Sequence, residues 1–328
     1  IRNSFSLDRK GQPSGPGHPF NKQPFKVSET SKPSKVFPVN LVGAMFCLLP
    51  RWALSLICRS LGALMPLIVP KRQALLMKNL RLGFPDEPEK SLRRTAAISR
   101  ARTIEIGLFS FAHPLLSERR LRSWLSVSDD MKKAIHEKKD GGVLLLVPHL
   151  CLTEAFCCLP LLAHPSKTIG AVFRPLRNLR LGEWLRRGRE RFGMIALSRS
   201  NGLLPAARFL KKGQVCGMLF DQNAGHAGTR MKFLGRECSC TTLPDILAKR
   251  FQPKIVVAFP RRTGFWQAVI ERETLEVDPK NESVAEKAHA WLEGKLREDK
   301  EFRANWLWLH NRWKEGSGKP RKQEDSSS

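Results

Sequence analysis

A glycine pair, Gly141 and Gly142, opens a run of five consecutive apolar residues, 143–147, and Pro148 ends that run before His149. A continuous apolar run of this length, rich in β-forming residues, predicts a strand that is buried on both faces. The histidine is therefore expected just after a strand end. In open α/β folds, strand ends followed by a helix are where ligands and chemistry are placed.

Apolar segments of strand length alternate with amphipathic segments of helix length in the part of the chain that follows. This alternation is typical of an α/β fold with a mostly parallel central sheet flanked by helices. Residues 71–140 are predicted to be helical. The further predicted strands are 168–173, 194–197, 214–220, 254–259 and 265–270, with an antiparallel arrangement open for the last two. The further predicted helices are one that Asn178 caps, then 202–212, 242–250 and 281–300.

Composition divides the chain into four parts. Residues 1–38 are polar, basic and rich in Pro, Ser and Gly, which predicts a disordered tail. The polar composition of residues 316–328 predicts a second disordered tail. Residues 39–70 are strongly apolar, and residues 71–315 carry the alternating pattern of the main domain.

The apolar segment 39–70 is interrupted by Arg51 and Arg59 and broken by Pro50 and Pro66. A transmembrane helix needs ~20 uninterrupted apolar residues. The pattern therefore predicts an N-terminal membrane-associated helical hairpin, made of two short helices that lie in or dip into the bilayer interface. A buried core hairpin of a soluble protein stays open as the alternative.

Basic residues outnumber acidic ones, with 57 Lys and Arg against 30 Asp and Glu and a formal net charge of +27. Such an excess implies an acidic partner, which is a nucleic acid, an anionic membrane surface or an acidic protein. The arginine-rich stretch 174–191 motivates the nucleic-acid hypothesis. No helix-turn-helix, zinc-finger or RNA-binding signature accompanies it, so we expect no nucleic acid partner.

The eight cysteines mostly have apolar neighbours, and none forms a Cys-x-x-Cys pair. They are typical of small buried side chains in a reducing compartment. Cys238 and Cys240 alone are too few for a zinc site. The sequence therefore predicts no metal site and no cofactor.

Glu154 follows His149 by five residues. If His149 precedes a helix and Glu154 lies in its first turns, the carboxylate reaches back to the imidazole, because helical side chains lean toward the N-terminus. A carboxylate in that position fixes the tautomer of a histidine that acts as a general base. The same spacing occurs at two other histidines, which lack a strand before them.

Further polar residues follow later strands. Arg174 ends one predicted strand, and Asp221 and Gln222 end another. Because the ends of parallel strands share one edge of a sheet, we expect these residues to form a single site with His149. An ion pair between Arg174 and Asp221 is the alternative to a binding role for Arg174. Asp221 is also an alternative to Glu154 as the partner of His149.

Five short motifs occur in a characteristic order. They are His149-x-x-x-x-Glu154, Val172-Phe173-Arg174-Pro175 with Asn178, Leu219-Phe220-Asp221-Gln222, Lys232-Phe233-Leu234-Gly235 and Trp308 to Lys314. With these motifs, the chain from about residue 40 to Lys314 resembles the bacterial lipid A late acyltransferases and their relatives that acylate phosphatidylinositol mannosides. The residues Leu150-Cys151-Leu152-Thr153 depart from the aromatic-Gly-Asn-Trp that the family often carries there.

The resemblance implies a membrane-bound enzyme on the cytoplasmic face of the inner membrane, with residues 71–315 as its acyltransferase domain. It would move a fatty acyl chain from acyl carrier protein to a hydroxyl of a glycolipid, first of all a lipid A precursor. The expected partners are the carrier protein, the glycolipid acceptor and an anionic membrane surface, without a cofactor. The resemblance implies His149 and Glu154 as catalytic residues and, for substrate binding or the oxyanion, Arg174, Asn178, Asp221 and Gln222.

Two alternatives stay open. Within enzymes, a glycerolipid or phosphatidylinositol mannoside acyltransferase would use a similar pair of histidine and acid. Outside enzymes, the alternative is a basic nucleic-acid-binding protein.

Overall fold

A seven-stranded sheet forms the centre of the protein in the computed structural model, which describes residues 37–137, 140–176, 178–198, 203–314 and 316–319. Most of the two predicted disordered tails lies outside the described residues. The strands are β1 (Leu125–Val127), β2 (Val143–Val147), β3 (Ile169–Phe173), β4 (Ile195–Ser198), β5 (Val215–Leu219), β6 (Thr229–Phe233), β7 (Arg236–Cys240), β8 (Lys254–Gly264) and β9 (Gln267–Thr274).

Helices cover both faces of the sheet and form the N-terminal part of the described chain. The helices are α1 (Phe37–Leu48), α2 (Arg51–Ile68), α3 (Pro70–Gly83), α4 (Glu89–Ala112), α5 (Glu118–Trp124), α6 (Asp129–His136), α7 (Leu159–Ala163), α8 (Leu179–Glu190), α9 (Leu204–Lys211), α10 (Leu243–Phe251), α11 (Val284–Glu298) and α12 (Lys300–Asn305). Short 3₁₀ turns lie at Thr153–Cys158 and Gly225–Ala227.

The strand order in the main sheet is β1-β9-β8-β2-β5-β3-β4. Neighbouring strands run parallel except β8 and β9, which are antiparallel. The predicted α/β fold with a mostly parallel central sheet and flanking helices is thus confirmed. The separate hairpin of β6 and β7 and the short strand β1 have no counterpart in the sequence prediction.

The central strand β2 explains why an unbroken apolar run was needed at this point of the chain. All five of its residues are buried. Leu144 and Leu146 pack into the apolar core on one face of the sheet, while Val143, Leu145 and Val147 pack into the core on the other. Because side chains alternate along a strand, only a continuous apolar sequence fills both cores.

The N-terminal apolar segment forms two helices that meet at Pro50, as predicted. The predicted break at Pro66 is wrong, since α2 runs through this residue to Ile68. A proline inside a helix leaves the carbonyl four residues earlier without its usual donor. Here that carbonyl is Gly62 O, and Arg100 Nε donates to it at 2.7 Å.

Helix α2 buries only a narrow stripe of its surface. Leu54, Cys58 and Gly62 are buried, and a Cβ on Gly62 would lie 3.0 Å from the backbone N of Ala101 on α4. The helix is long and apolar enough to cross a membrane by length and composition. Its other faces expose large apolar side chains: Trp52, Leu56, Ile57, Leu61, Leu64, Leu67 and Ile68.

Candidate active site

His149 and Asp221 are brought together by the register of two neighbouring strands. β2 pairs in parallel with β5, with Val147 opposite Leu219, and each of the two polar residues lies two positions beyond. The Nδ1 atom of His149 lies 2.5 Å from Oδ1 of Asp221. The backbone N–H of His149 donates to Oδ2 of the same carboxylate at 2.8 Å.

Asp221 is a buried carboxylate with three hydrogen-bond donors around it. Besides the two from His149, the indole Nε1–H of Trp306 donates to Oδ2 at 2.6 Å. Burial alone would raise the pKa of Asp221, but the adjacent His149 and the hydrogen bonds from His149 and Trp306 lower it well below its ordinary value. Asp221 is therefore ionised at neutral pH.

An ionised Asp221 determines the tautomer of His149. The imidazole donates its Nδ1 proton to the carboxylate, so Nε2 carries the lone pair. The side chain of His149 is 18% exposed, and Nε2 has no hydrogen-bond partner within the described residues. This arrangement can serve general base catalysis, because the imidazole is oriented and the carboxylate can stabilise an imidazolium.

The loop that carries His149 is fixed by the C-terminal segment. Leu307 N–H donates to the carbonyl of His149 at 3.0 Å, and Cys151 N–H donates to the carbonyl of Asn305 at 2.9 Å. His149 and the Trp306 side chain that orients Asp221 are therefore positioned by the same piece of backbone. No pattern in the sequence pointed to Trp306, which lies 85 residues from Asp221.

Glu154 does not reach His149 in the structure. It accepts a hydrogen bond from Arg189 Nε at 3.0 Å, forms a second bond with Arg189 Nη2, and accepts one from Cys157 Sγ at 3.4 Å. Burial raises the pKa of Glu154, but the Arg189 guanidinium outweighs it and the net shift is downward. Asp221, the alternative partner of His149, thus takes the place expected for Glu154.

The local backbone explains this difference. Leu152 adopts a left-handed conformation with φ of 67°, and the turn that follows is a 3₁₀ helix rather than the first turn of an α-helix. Residue 154 therefore points toward α8, which supplies Arg189. A catalytic role for Glu154 remains a prediction.

An apolar cavity with about 700 Å³ of empty space, part of it open to solvent, lies between the sheet and the segment after His149. Backbone and side chains of β2, β3 and β5 form its floor, and Thr153 and Phe156 contribute from the loop side. The ion pair of Glu154 and Arg189 lies in its wall. The apolar lining suits a hydrocarbon chain.

A polar cleft with about 1310 Å³ of space, again including open solvent, lies beside the ends of the strands. Its cationic groups are Arg174 and Lys314, and Asn223 and His310 line its inner side. The Asn223 N–H donates to His310 Nε2 at 2.8 Å. Burial, together with the charges of Arg312 and His149, lowers the pKa of His310 to about 4, so this histidine is neutral at pH 7.

The other predicted site residues occupy distinct positions. Arg174 is exposed in the polar cleft, and no ion pair joins it to Asp221 in the described part of the chain. Asn178 caps α8, since its Oδ1 accepts from Leu181 N–H at 3.1 Å. Gln222 is exposed next to Asp221. Within the described ranges, no group of three or more His, Cys, Asp or Glu side chains is arranged to hold a metal ion.

Comparison with known proteins gives a consistent family assignment. The family model of the bacterial lipid A biosynthesis acyltransferases matches residues 25–315. Two curated relatives are the lipid A biosynthesis palmitoleoyltransferase of Escherichia coli K12 and the lipid A biosynthesis acyltransferase of Shigella flexneri. Each is 27% identical over 282 residues, which cover 81% of this chain and 86% of the relative. Because the family model spans most of the chain, the protein belongs to the bacterial lipid A biosynthesis acyltransferases.

Proposed function

We propose that the protein transfers a fatty acyl chain from acyl carrier protein to a hydroxyl group of a lipid A precursor, with His149 as general base. The observation that carries the proposal is the His149–Asp221 pair at the ends of β2 and β5. Val147 and Leu219, two residues before them, line the apolar cavity, and Asn223, two residues after Asp221, lines the cationic cleft. The cavity suits the acyl chain, and the cleft suits a phosphorylated acceptor or the phosphate of the carrier's prosthetic arm.

The chemistry follows from the geometry of the pair. Nε2 of His149 takes the proton of the acceptor hydroxyl while the hydroxyl oxygen attacks the carbonyl carbon of the thioester. The tetrahedral intermediate then collapses, the carbon–sulfur bond breaks, and the imidazolium returns its proton to the leaving thiolate. Asp221 stabilises the imidazolium between these two proton transfers. General base catalysis of this kind contributes about 10²–10⁴-fold to the rate.

The other predicted residues have supporting roles in this proposal. Arg174 and Lys314 bind phosphate oxygens in the cleft, and Arg174 is the candidate to stabilise the oxyanion. Gln222 offers its amide to the acceptor at the same edge. Asn178 supports the site indirectly because it fixes the start of α8, from which Arg189 reaches the cavity wall.

Membrane attachment is part of the same proposal. The exposed apolar side chains of α1 and α2 would lie in the bilayer interface on the cytoplasmic face of the inner membrane, where carrier protein and acceptor meet. The excess of 57 basic over 30 acidic residues suits an anionic membrane surface and an acidic carrier protein.

The acceptor can be tested directly. Purified protein is incubated with acyl carrier protein that is loaded with fatty acyl chains of several lengths. Lipid A precursor, phosphatidylinositol mannoside and lysophospholipid are offered as acceptors in parallel reactions, and the products are identified by mass. We expect acylation of the lipid A precursor. Preference for one of the other two lipids would move the assignment to the corresponding acceptor, an outcome that the unusual Leu150–Thr153 sequence makes worth measuring.

A further inference from the structure

A second charged cavity lies between α2, α4 and the turn that joins β8 to β9. It has about 1080 Å³ of space, including open solvent, and shares no lining residue with the apolar cavity or the polar cleft of the candidate active site. The positions 55, 59 and 63 of α2 line it, each one turn apart. They form a stripe next to the buried stripe of Leu54, Cys58 and Gly62.

Four guanidinium groups line this cavity, together with one carboxylate. They belong to Arg59, Arg100, Arg102 and Arg262, and the carboxylate is that of Glu105. An anion in the cavity would therefore meet an excess of positive charge in a partly desolvated setting, where such interactions are strong.

Glu105 is fully occupied by structural contacts, as expected for a buried carboxylate. It accepts from Arg102 Nη1 at 3.1 Å, from Arg262 Nε at 3.2 Å and from Trp266 N–H at 3.1 Å. Arg102 also reaches the exposed Glu301 at 3.4 Å. These two carboxylates thus pair with Arg102 and Arg262, and neither contacts Arg59 or Arg100 in the described chain.

Several donors of the arginines remain available. Arg102 Nε is buried without a hydrogen-bond partner among the described residues. Arg59 is exposed. Arg100 donates from Nε to the carbonyl of Gly62 and from Nη1 to Oε1 of Gln73, which leaves Nη2 available. Burial lowers the pKa of Arg100, as expected where no carboxylate compensates its charge.

The surroundings of the cavity distinguish a lipid from a soluble anion. The face of α2 beyond the cavity stripe exposes Leu56, Leu64 and Leu67, and this face is unpartnered in the described chain. A ligand with a phosphate group and hydrocarbon chains would satisfy both features at once, since the phosphate pairs with guanidinium and the chains cover the apolar helix.

We propose that this cavity binds the headgroup phosphate of an anionic phospholipid, with the acyl chains lying along the exposed apolar face of α2. The inference rests on the membrane attachment in the proposed function but not on the acyl transfer chemistry. One lipid would bind at a defined place, in addition to the general attraction between a basic protein and an acidic bilayer.

The test is a calorimetric titration of the purified full chain with short-chain phosphatidylglycerol below its micelle concentration. We expect saturable binding of one lipid per chain, with much weaker binding of short-chain phosphatidylcholine and of inorganic phosphate. Arg59→Gln should weaken binding about tenfold, the loss expected for one charge-assisted hydrogen bond. Arg94→Gln, which removes the same charge from an exposed position of α4 outside the cavity, should have no effect.

A variant that keeps the charge supplies a second criterion. Ala97 is exposed on α4 and lines the cavity, so Ala97→Phe should narrow it and weaken lipid binding while the unfolding midpoint stays unchanged. Equal lipid affinity in wild type, Arg59→Gln and Ala97→Phe would overturn the proposal. Equal affinity for inorganic phosphate and the lipid would also overturn it, in favour of a plain anion site.

The lipid-binding site can be tested independently of the role of His149. His149→Ala lies outside this cavity and should retain the wild-type affinity for short-chain phosphatidylglycerol. If the protein binds acidic vesicles but not the short-chain lipid, membrane attachment stands and the headgroup site is refuted.

Discussion

Replacing Asp221 by Asn should inactivate the enzyme through the tautomer of His149. In the wild type, Oδ2 of Asp221 accepts from two donors, the His149 backbone N–H and Trp306 Nε1–H. In the variant these two donors require the amide oxygen at that position, because an NH₂ group there would face them donor to donor. The amide NH₂ then faces Nδ1 of His149.

This amide orientation reverses the proton positions on the imidazole. Nδ1 must accept from the NH₂ group, so the ring proton moves to Nε2 and the lone pair needed for base catalysis is lost. The imidazolium also loses its neighbouring negative charge. We expect kcat to fall by about 10³–10⁴-fold, the range in which loss of a general base and of its carboxylate falls.

The assay measures initial rates of acyl transfer to the lipid A precursor at a saturating concentration of acylated carrier protein. Folding of each variant is checked by circular dichroism. Asp86→Asn, in an exposed turn, is the matched control and should retain full activity. KM for both substrates should change little in Asp221→Asn. A decrease in kcat of less than tenfold in a folded Asp221→Asn variant would refute the proposed role of the carboxylate.

Three further predictions concern Glu154, the exposed face of α2 and His113. Glu154→Gln leaves the half-buried Arg189 guanidinium without its charged partner, so it should lower the free energy of unfolding by up to about 3 kcal/mol; an altered shape of the pH–rate profile would instead support a direct link to His149. Leu56→Glu combined with Leu64→Glu, both on the exposed side of α2, should abolish co-sedimentation with acidic vesicles, and unchanged binding would contradict membrane attachment through α2. Burial lowers the pKa of His113 to about 4 from about 6.5 in the unfolded chain, so stability is full above pH 6.5 and falls by up to about 3 kcal/mol between pH 6.5 and 4; His113→Phe should remove this part of the pH dependence of the unfolding midpoint.

Much of the sheet could be predicted because its signal is local. The apolar run of β2 needs no partner to be recognised, and the strand-end position of His149 follows from it. The strands β6 and β7 were not predicted because each has only five residues, which is too short for a clear alternation of polar and apolar side chains. They are joined by a turn at Leu234 and Gly235, both with positive φ.

The partner of His149 could be narrowed to two residues but not chosen from the sequence. Spacing alone favoured Glu154, and that inference assumed an α-helical first turn after the histidine. The left-handed Leu152 and the 3₁₀ turn at Thr153–Cys158 send Glu154 elsewhere, and both depend on packing that spacing does not record. The Asp221 contact depends instead on the register of β2 against β5.

The most direct test of the active-site assignment is the rate of acyl transfer to the lipid A precursor by His149→Ala. His226→Ala, which changes an exposed histidine of the Gly225–Ala227 turn, is measured beside it. We predict a loss of at least ~10²-fold for His149→Ala with an unchanged unfolding midpoint, and wild-type rates for His226→Ala. Rates within a few-fold of wild type in a folded His149→Ala variant would contradict the assignment of His149 as the catalytic base.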